Sequence, residues 1–205
     1  MDNKIRNKYN FDELKEKVRE KLKSSNNPRW ENRFVHSLGV SRCAGELSKI
    51  YSEDVYEKAI IAGLVHDYCK YLTFDDYKKV CEKNNLNIEL DENFTHVYHS
   101  LLAPYVIKEE LGIDDEEILQ SIKSHQMGRP NMGLLEMIIF VSDEAEETRV
   151  GDIFLKTRKI AFQDLYKAVA FVAKINIEYL LSKNSLIYPL SFETYNYYCK
   201  YGRFK

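Results

Sequence analysis

Apolar residues return every three or four positions along most of this chain, the period of helices that bury one face. Over residues 11–23, Leu14, Val18 and Leu22 stand four apart with acids and lysines between them. That spacing predicts an amphipathic surface helix, ended by Asn26, Asn27 and Pro28. Residues 29–51 carry an inward stripe of His36, Val40, Ala44, Leu47 and Tyr51. Residues 56–67 are small and apolar (Ala59, Ile60, Ala62, Gly63, Leu64), suited to a buried helix with close neighbours. Thr73 and Asp76 have the spacing of a capping box and open a short helix to residue 82, while the polar, Asn-rich stretch 83–95 reads as a loop. A helix over 96–111 is closed by Gly112, and the next begins at Asp114, with Glu117 three residues on, and runs to 125. Gly128 and Pro130 make 126–131 a connection, and helices over 132–146, 162–183 and 192–201 complete the chain. No run alternates in the manner of a strand, so the predicted class is all-α, a helical bundle.

Against this pattern, certain polar residues stand where the core should be. His36 occupies an apolar stripe, His66 shares a row with Ala59, Ala62 and Gly63, and Asp67 follows Ile60 and Leu64. His99 heads the row of Leu102, Ala103 and Val106; His125 ends that of Ile118 and Ile122; Asp143 ends that of Met132, Leu135 and Ile139. Any one of these histidines alone could be a hydrogen-bonded core residue, and Asp143 alone an N-cap or a partner of Arg149. Together they are different, because a buried carboxylate or imidazolium without a partner costs several kcal/mol. Divalent metal ions neutralise such a group directly, since neutral imidazole and carboxylate are their usual ligands. Adjacent residues such as His66 and Asp67 point about 100° apart on a helix, so they share a metal only near a helix end. His96 lies nearer the loop and faces away from the Leu102/Val106 row, as a surface or supporting residue would. Cys43 and Cys69 read as small core residues.

Composition narrows the class. Lys and Arg number 30 against 32 Asp and Glu, a net charge of −2, which argues against broad nucleic-acid or membrane-surface binding. Residues 1–11 are charged and polar without an apolar leader, and the longest apolar stretches, 59–65 and 137–141, are far too short to span a bilayer. The four cysteines lie far apart with no Cys-x-x-Cys pair, as in a reducing cytoplasm. A length of 205 residues suits a single domain over 1–205, with a metal-binding core at about 29–150 and the helices of 151–205 packed on it.

The segments RFVHSLGV (33–40), AGLVHDYCK (62–70), SHQMGRPNM (124–132), VSDEAEETR (141–149) and TYNYY (194–198) resemble the HD phosphohydrolase superfamily, and within it the bacterial YqeK-type group. The similarity runs over about residues 29–200, and the motifs agree in order and spacing. The resemblance implies a symmetrical dinucleoside tetraphosphatase that cuts diadenosine tetraphosphate into two ADP at a di-iron centre. It implies that His36, His66, Asp67 and Asp143 hold one metal, with Asp67 bridging to a second held by His99 and His125. Iron is the implied metal, although manganese, cobalt or zinc also suits such ligands. The partner is then a small nucleotide, and a homodimer is compatible with the resemblance. The chain departs from the group in three places. Gln126 stands where Thr is usual after His125, Ser142 where Ala is usual before Asp143, and Glu147 where Pro is usual.

Two divalent cations and two aspartates leave a cationic centre suited to a polyphosphate. A water between two such metals loses a proton near neutral pH and attacks phosphorus, so no Ser or Cys nucleophile is needed. Asp67 and Lys70 are the candidate catalytic residues, with Lys70 also a phosphate contact beside the metals. Arg33, Gln126, Arg129 and Arg149 are the further candidate substrate contacts, although Arg149 could instead pair with Glu146. Tyr195, Tyr197, Tyr198 and Tyr201 are assigned to packing of the last helix. Two rival readings use the same metal ligands: an HD nucleotide phosphatase acting on nucleoside monophosphates, and a non-catalytic nucleotide-sensing module.

Overall fold

A computed structural model describes residues 8–202; residues 1–7, the start of the stretch read as lacking a leader, lie outside the described residues. Eleven α-helices and no strand occur among the described residues, as the periodicity predicts. Among the described residues no helix is long and apolar enough to cross a membrane.

Helix α1 (Phe11–Ser24) is capped by Asn10, whose side chain accepts from the backbone of Asp12 and Glu13, and it buries Leu14, Val18 and Leu22 as expected. It packs on α2 (Trp30–Tyr51) and α3 (Tyr56–Val65). The α2–α3 pair crosses closely. A Cβ at Gly63 would lie 2.7 Å from the Cα of Ser41 and 2.9 Å from its backbone nitrogen, so only glycine fits there. The Ser41 hydroxyl fastens the crossing by donating to the carbonyl of Ile60 at 2.6 Å.

Helix α4 (Phe74–Lys83) opens with the predicted capping box between Thr73 and Asp76. The helix expected over 96–111 is instead two, α5 (Thr95–Leu101) and α6 (Ala103–Leu111). Pro104 lies in the first turn of α6, where its missing N–H and its ring prevent α5 from running through. Gly112 ends α6 in the left-handed conformation at φ +68°. Helix α7 (Glu116–Ser124) is capped by Asp115, one residue after the expected Asp114, which instead accepts from the Tyr9 hydroxyl at 2.8 Å.

Helix α8 (Leu134–Ala145) is the central post: Ile138, Ile139, Phe140 and Val141 are all buried, and it touches α2, α3, α7, α9 and α10. Helix α9 (Asp152–Ala161) is not visible as an apolar stripe in the sequence, because the residues it buries are Thr157 and Ala161. Helices α10 (Leu165–Ser182) and α11 (Pro189–Tyr198) pack on each other, and α10 lies on α8 and α9. The C-terminal tyrosines pack as assigned. Tyr198 is 1% exposed, and its hydroxyl accepts from the backbone of Met132 at 2.8 Å.

The Gly63 contact is with backbone, which cannot rotate aside, so Gly63→Ala forces α2 and α3 apart. The overpacking penalty exceeds the gain in helix propensity, and a net loss of about 1–2 kcal/mol is expected in urea unfolding. A stabilised variant would overturn the close contact of the two backbones.

Candidate metal centre

The six polar residues of the buried faces come from five helices and meet at one point. His36 lies on α2, His66 caps the C-terminus of α3 with Asp67 next, His99 lies in the last turn of α5, His125 caps α7, and Asp143 lies near the end of α8. Helix α3 stops at Val65, and the backbone then turns through Tyr68 N–H to Val65 O and Lys70 N–H to Asp67 O. That helix end allows adjacent His66 and Asp67 to reach the same centre.

Asp67 is central, and its two oxygens face different neighbours. Oδ2 lies 3.3 Å from His66 Nε2 and 3.9 Å from His36 Nε2, and Oδ1 lies 3.1 Å from His99 Nε2 and 3.7 Å from His125 Nε2. Asp143 Oδ1 completes the first side, 2.9 Å from His36 Nε2 and 3.9 Å from His66 Nε2.

Hydrogen bonds on the far side of each ring decide its tautomer. His66 Nδ1 donates to the carbonyl of Gly63, His99 Nδ1 to that of His96 and His125 Nδ1 to that of Ile122, each at 2.7 Å. A carbonyl can only accept, so each Nδ1 carries the hydrogen, and in the neutral ring Nε2 is a bare lone pair. Burial disfavours the charged ring, with the nearby Lys70 adding to the effect, and brings the pKa of His99 down to about 3. Burial lowers His66 as well. Yet His99 Nε2 and His125 Nε2 stand 3.1 Å apart, an acceptor against an acceptor. His36 Nε2 lies 2.9 Å from Asp143 Oδ1, while the buried Nε2 of His66 and Oδ1 of Asp67 have no hydrogen-bond partner. Each such group costs about 1–3 kcal/mol. Divalent cations fit this donor set and remove the conflict.

The carboxylates are ready to bind such cations. Burial opposes the charge on Asp67, but Lys70 and the surrounding imidazoles overcome it and hold its carboxyl well below the usual range. His36 and Arg149 do the same for Asp143. His36 differs from the other rings because its Nδ1 donates to a carboxylate, Glu146 Oε1, at 3.0 Å. Burial works against its proton, but Asp143 and Glu146 prevail and raise its pKa to about 9. His36 would give up its Nε2 proton to hold a cation on that side.

Glu146 joins the site through His36, a contact that the spacing of the sequence did not reveal. It is held by Thr148, whose backbone N–H and hydroxyl both donate to it at 2.6 Å. A Cβ at Gly39 would come within 2.2 Å of Glu146 Oε2, so glycine on α2 makes room for the carboxylate. The spacing of three residues from Asp143 gives no sufficient signal, because Glu146 caps α8 in an extended conformation and only the fold turns it to His36.

A cleft of about 700 Å³ opens onto the centre, lined by Asp143 and by the predicted contacts Arg33, Lys70, Gln126 and Arg149. Arg33 donates to Asp67 Oδ2 at 2.7 Å, and Arg149 to Asp143 Oδ1 at 2.9 Å, so both arginines also steady metal-facing carboxylates. Arg149 pairs with Asp143 and Glu144 rather than with Glu146. The expectation for Arg129 is corrected. Its guanidinium is taken up by Glu136, with Nε and Nη2 donating at 2.7 and 2.5 Å, and it does not line the cleft. His96 is exposed at the rim, as expected of a supporting residue. Cys43 and Cys69 are buried, and burial pushes the Cys43 thiol up to about 12. Of the three departures from the family pattern only Gln126 lines the cleft; Ser142 is fully buried, and Glu147 pairs with Arg42 at the surface.

A family model described as the HD domain matches residues 33–148, which contain every residue of this centre. The chain belongs to the HD family. An HD relative from Bacillus subtilis, named bis(5'-nucleosyl)-tetraphosphatase, symmetrical, is 34% identical over 82% of this chain and 89% of its own length. One of the same name from Halalkalibacterium halodurans is 36% identical over 81% of this chain and 88% of its own. A crystal structure from Clostridium acetobutylicum, described as a predicted HD superfamily hydrolase involved in NAD metabolism, superposes with a TM-score of 0.81. It is 35% identical and covers 94% of this chain and 98% of its own. The protein is accordingly an HD phosphohydrolase, and its buried His/Asp cluster is suited to divalent metal.

Glu146→Gln keeps an acceptor for His36 but removes the charge behind it. Loss of such an outer carboxylate is expected to weaken Mn²⁺ binding by about tenfold or more in calorimetric titration of the chelator-stripped protein. Unchanged affinity would reduce Glu146 to a packing role.

Proposed function

We propose that this protein hydrolyses diadenosine tetraphosphate symmetrically to two ADP, using two divalent metal ions, iron in the first instance. The convergence of four imidazole Nε2 atoms on the two oxygens of one aspartate, at the floor of a cleft lined by lysine and arginines, carries this reading. His36, His66, Asp67 and Asp143 would hold one metal, and Asp67, His99 and His125 the other. Such a pair supplies a deprotonated water as nucleophile and charge for the phosphoryl oxygens.

The chain's own residues do the rest. Phosphoryl transfer needs positioning and charge neutralisation more than covalent help. Lys70, Arg33 and Arg149 lie along the cleft where phosphates pass to the metals, and the half-buried amide of Gln126 adds a neutral donor. In the balanced reaction one water adds to one of the two central phosphorus atoms. The bridging oxygen leaves with the other half, so that both products are ADP. The choice of this substrate follows the names of the relatives. We read the chain as one working unit, because the cleft has its floor in the core and its far wall in α10 and residues 184–191, and as cytoplasmic from its free, widely spaced cysteines.

The test is a substrate panel with anaerobically purified protein whose metal content is measured by elemental analysis. ADP as sole product from diadenosine tetraphosphate, about two metals per chain, and loss of turnover in Asp67→Ala are expected. Inorganic phosphate released from a nucleoside monophosphate, or unequal products from the dinucleotide, would overturn the substrate assignment.

A further inference from the structure

Lys70 stands in the turn that carries Asp67, three residues on, and its ammonium reaches back into the centre. Nζ lies 3.0 Å from His99 Nε2 and 3.5 Å from Asp67 Oδ1. His99 has already committed Nδ1 to the carbonyl of His96, at 2.7 Å. It therefore has one lone pair left, at Nε2, and Lys70 donates to it. An imidazole lone pair cannot accept from an ammonium and coordinate a cation at once. The Lys70–His99 hydrogen bond and a His99–metal bond thus exclude each other wherever the ion settles.

The other side of Asp67 differs. His66 Nε2 accepts no hydrogen bond, His36 Nε2 faces Asp143 Oδ1 at 2.9 Å, and the arginines there touch carboxylate oxygens, which keep further lone pairs. A cation entering between His36, His66 and Asp143 exchanges with a ring proton but displaces no lysine. One entering between Asp67, His99 and His125 must displace Lys70.

We infer that Lys70 gates the Asp67–His99–His125 side of the centre, so that the two metal positions fill in order and release of Lys70 couples the second to anion binding. The inference rests on the two-metal reading above. Once freed from His99, the lysine is still attached beside the cleft it lines, and its flexible stem can present the ammonium to a phosphate there. By linkage, an anion that draws Lys70 outward favours the cation at His99, and the cation favours the anion.

The experiment is calorimetric titration of the chelator-stripped full chain with Mn²⁺, in chloride and in sulfate at equal ionic strength, with folding checked by circular dichroism. The wild type is expected to bind in two steps, the second weaker in chloride and tightened by sulfate. In Lys70→Met the second step tightens by about tenfold or more in chloride, the fold-change of a lost charged hydrogen bond, while turnover falls. The sulfate effect disappears. Lys70→Gln carries the same expectation should the methionine variant fail to fold. A second step that is unchanged or weaker without the lysine overturns the gate, as does a wild type indifferent to sulfate. A wild type with no second step would instead sink the two-metal reading itself.

Discussion

Neutral imidazoles crowded tip to tip repel one another unless something positive lies between them, and the rest of this structure is arranged around that constraint. Three rings are locked by carbonyls on their own helices, so His66, His99 and His125 cannot flip or change tautomer without losing a buried hydrogen bond. The fourth, His36, is locked by Glu146. The lone pairs of His66, His99 and His125, and the Nε2 position of His36, are thereby aimed at one point, which is the preorganisation a metal site requires. Close approach of α2 to α3 at Gly63, and of α2 to the end of α8 at Gly39, brings the rings to one place; bulkier residues would hold them apart.

The residues of the buried His/Asp cluster were legible in the sequence because each breaks a strong local pattern. His36 interrupts the apolar stripe of a long helix, and His66 and Asp67 close a run of small apolar residues. Such interruptions are costly enough to stand out. The fold class was legible for the same reason, since helical periods are strong in α1, α2, α7 and α8. Less visible were features that depend on contacts between distant segments. Glu146 looks like a surface acid at a helix end until His36, 110 residues away, is placed against it. Arg129 looks like a free loop cation until Glu136 takes up its guanidinium. Helix α9 escaped because Thr157 and Ala161 bury little apolar surface, and the break at Leu102 because one proline can as well begin a helix as kink one.

The same division explains why residues beyond the metal-binding core matter to the chemistry. The centre lies wholly within 33–148, but the far wall of the cleft is made by α10 and the segment that leads into α11. In the sequence these stretches show only the apolar spacing of packing helices. Nothing in that spacing distinguishes a wall that covers a core from one that faces a ligand. Asn176 and Tyr188 can be assigned to the cleft only once α10 lies across α8.

The direction of the helices settles which sign of charge the floor accepts first. His66 and His125 cap the C-termini of α3 and α7, His99 lies in the last turn of α5, and Asp143 lies in that of α8. Each helix end carries roughly half a negative charge, and four of them meet at a point that already holds two carboxylates. Such a floor favours cations. Arg33 and Arg149 each pair with one of those carboxylates, Lys70 stands 3.5 Å from Asp67 Oδ1, and His36 Nε2 lies 2.9 Å from Asp143 Oδ1. These groups offset the two carboxylates, but each is already held by an acceptor of the centre. On the proposed two-metal reading, bound cations would add the positive charge that a polyphosphate needs, and the helix ends would help to hold those cations in place.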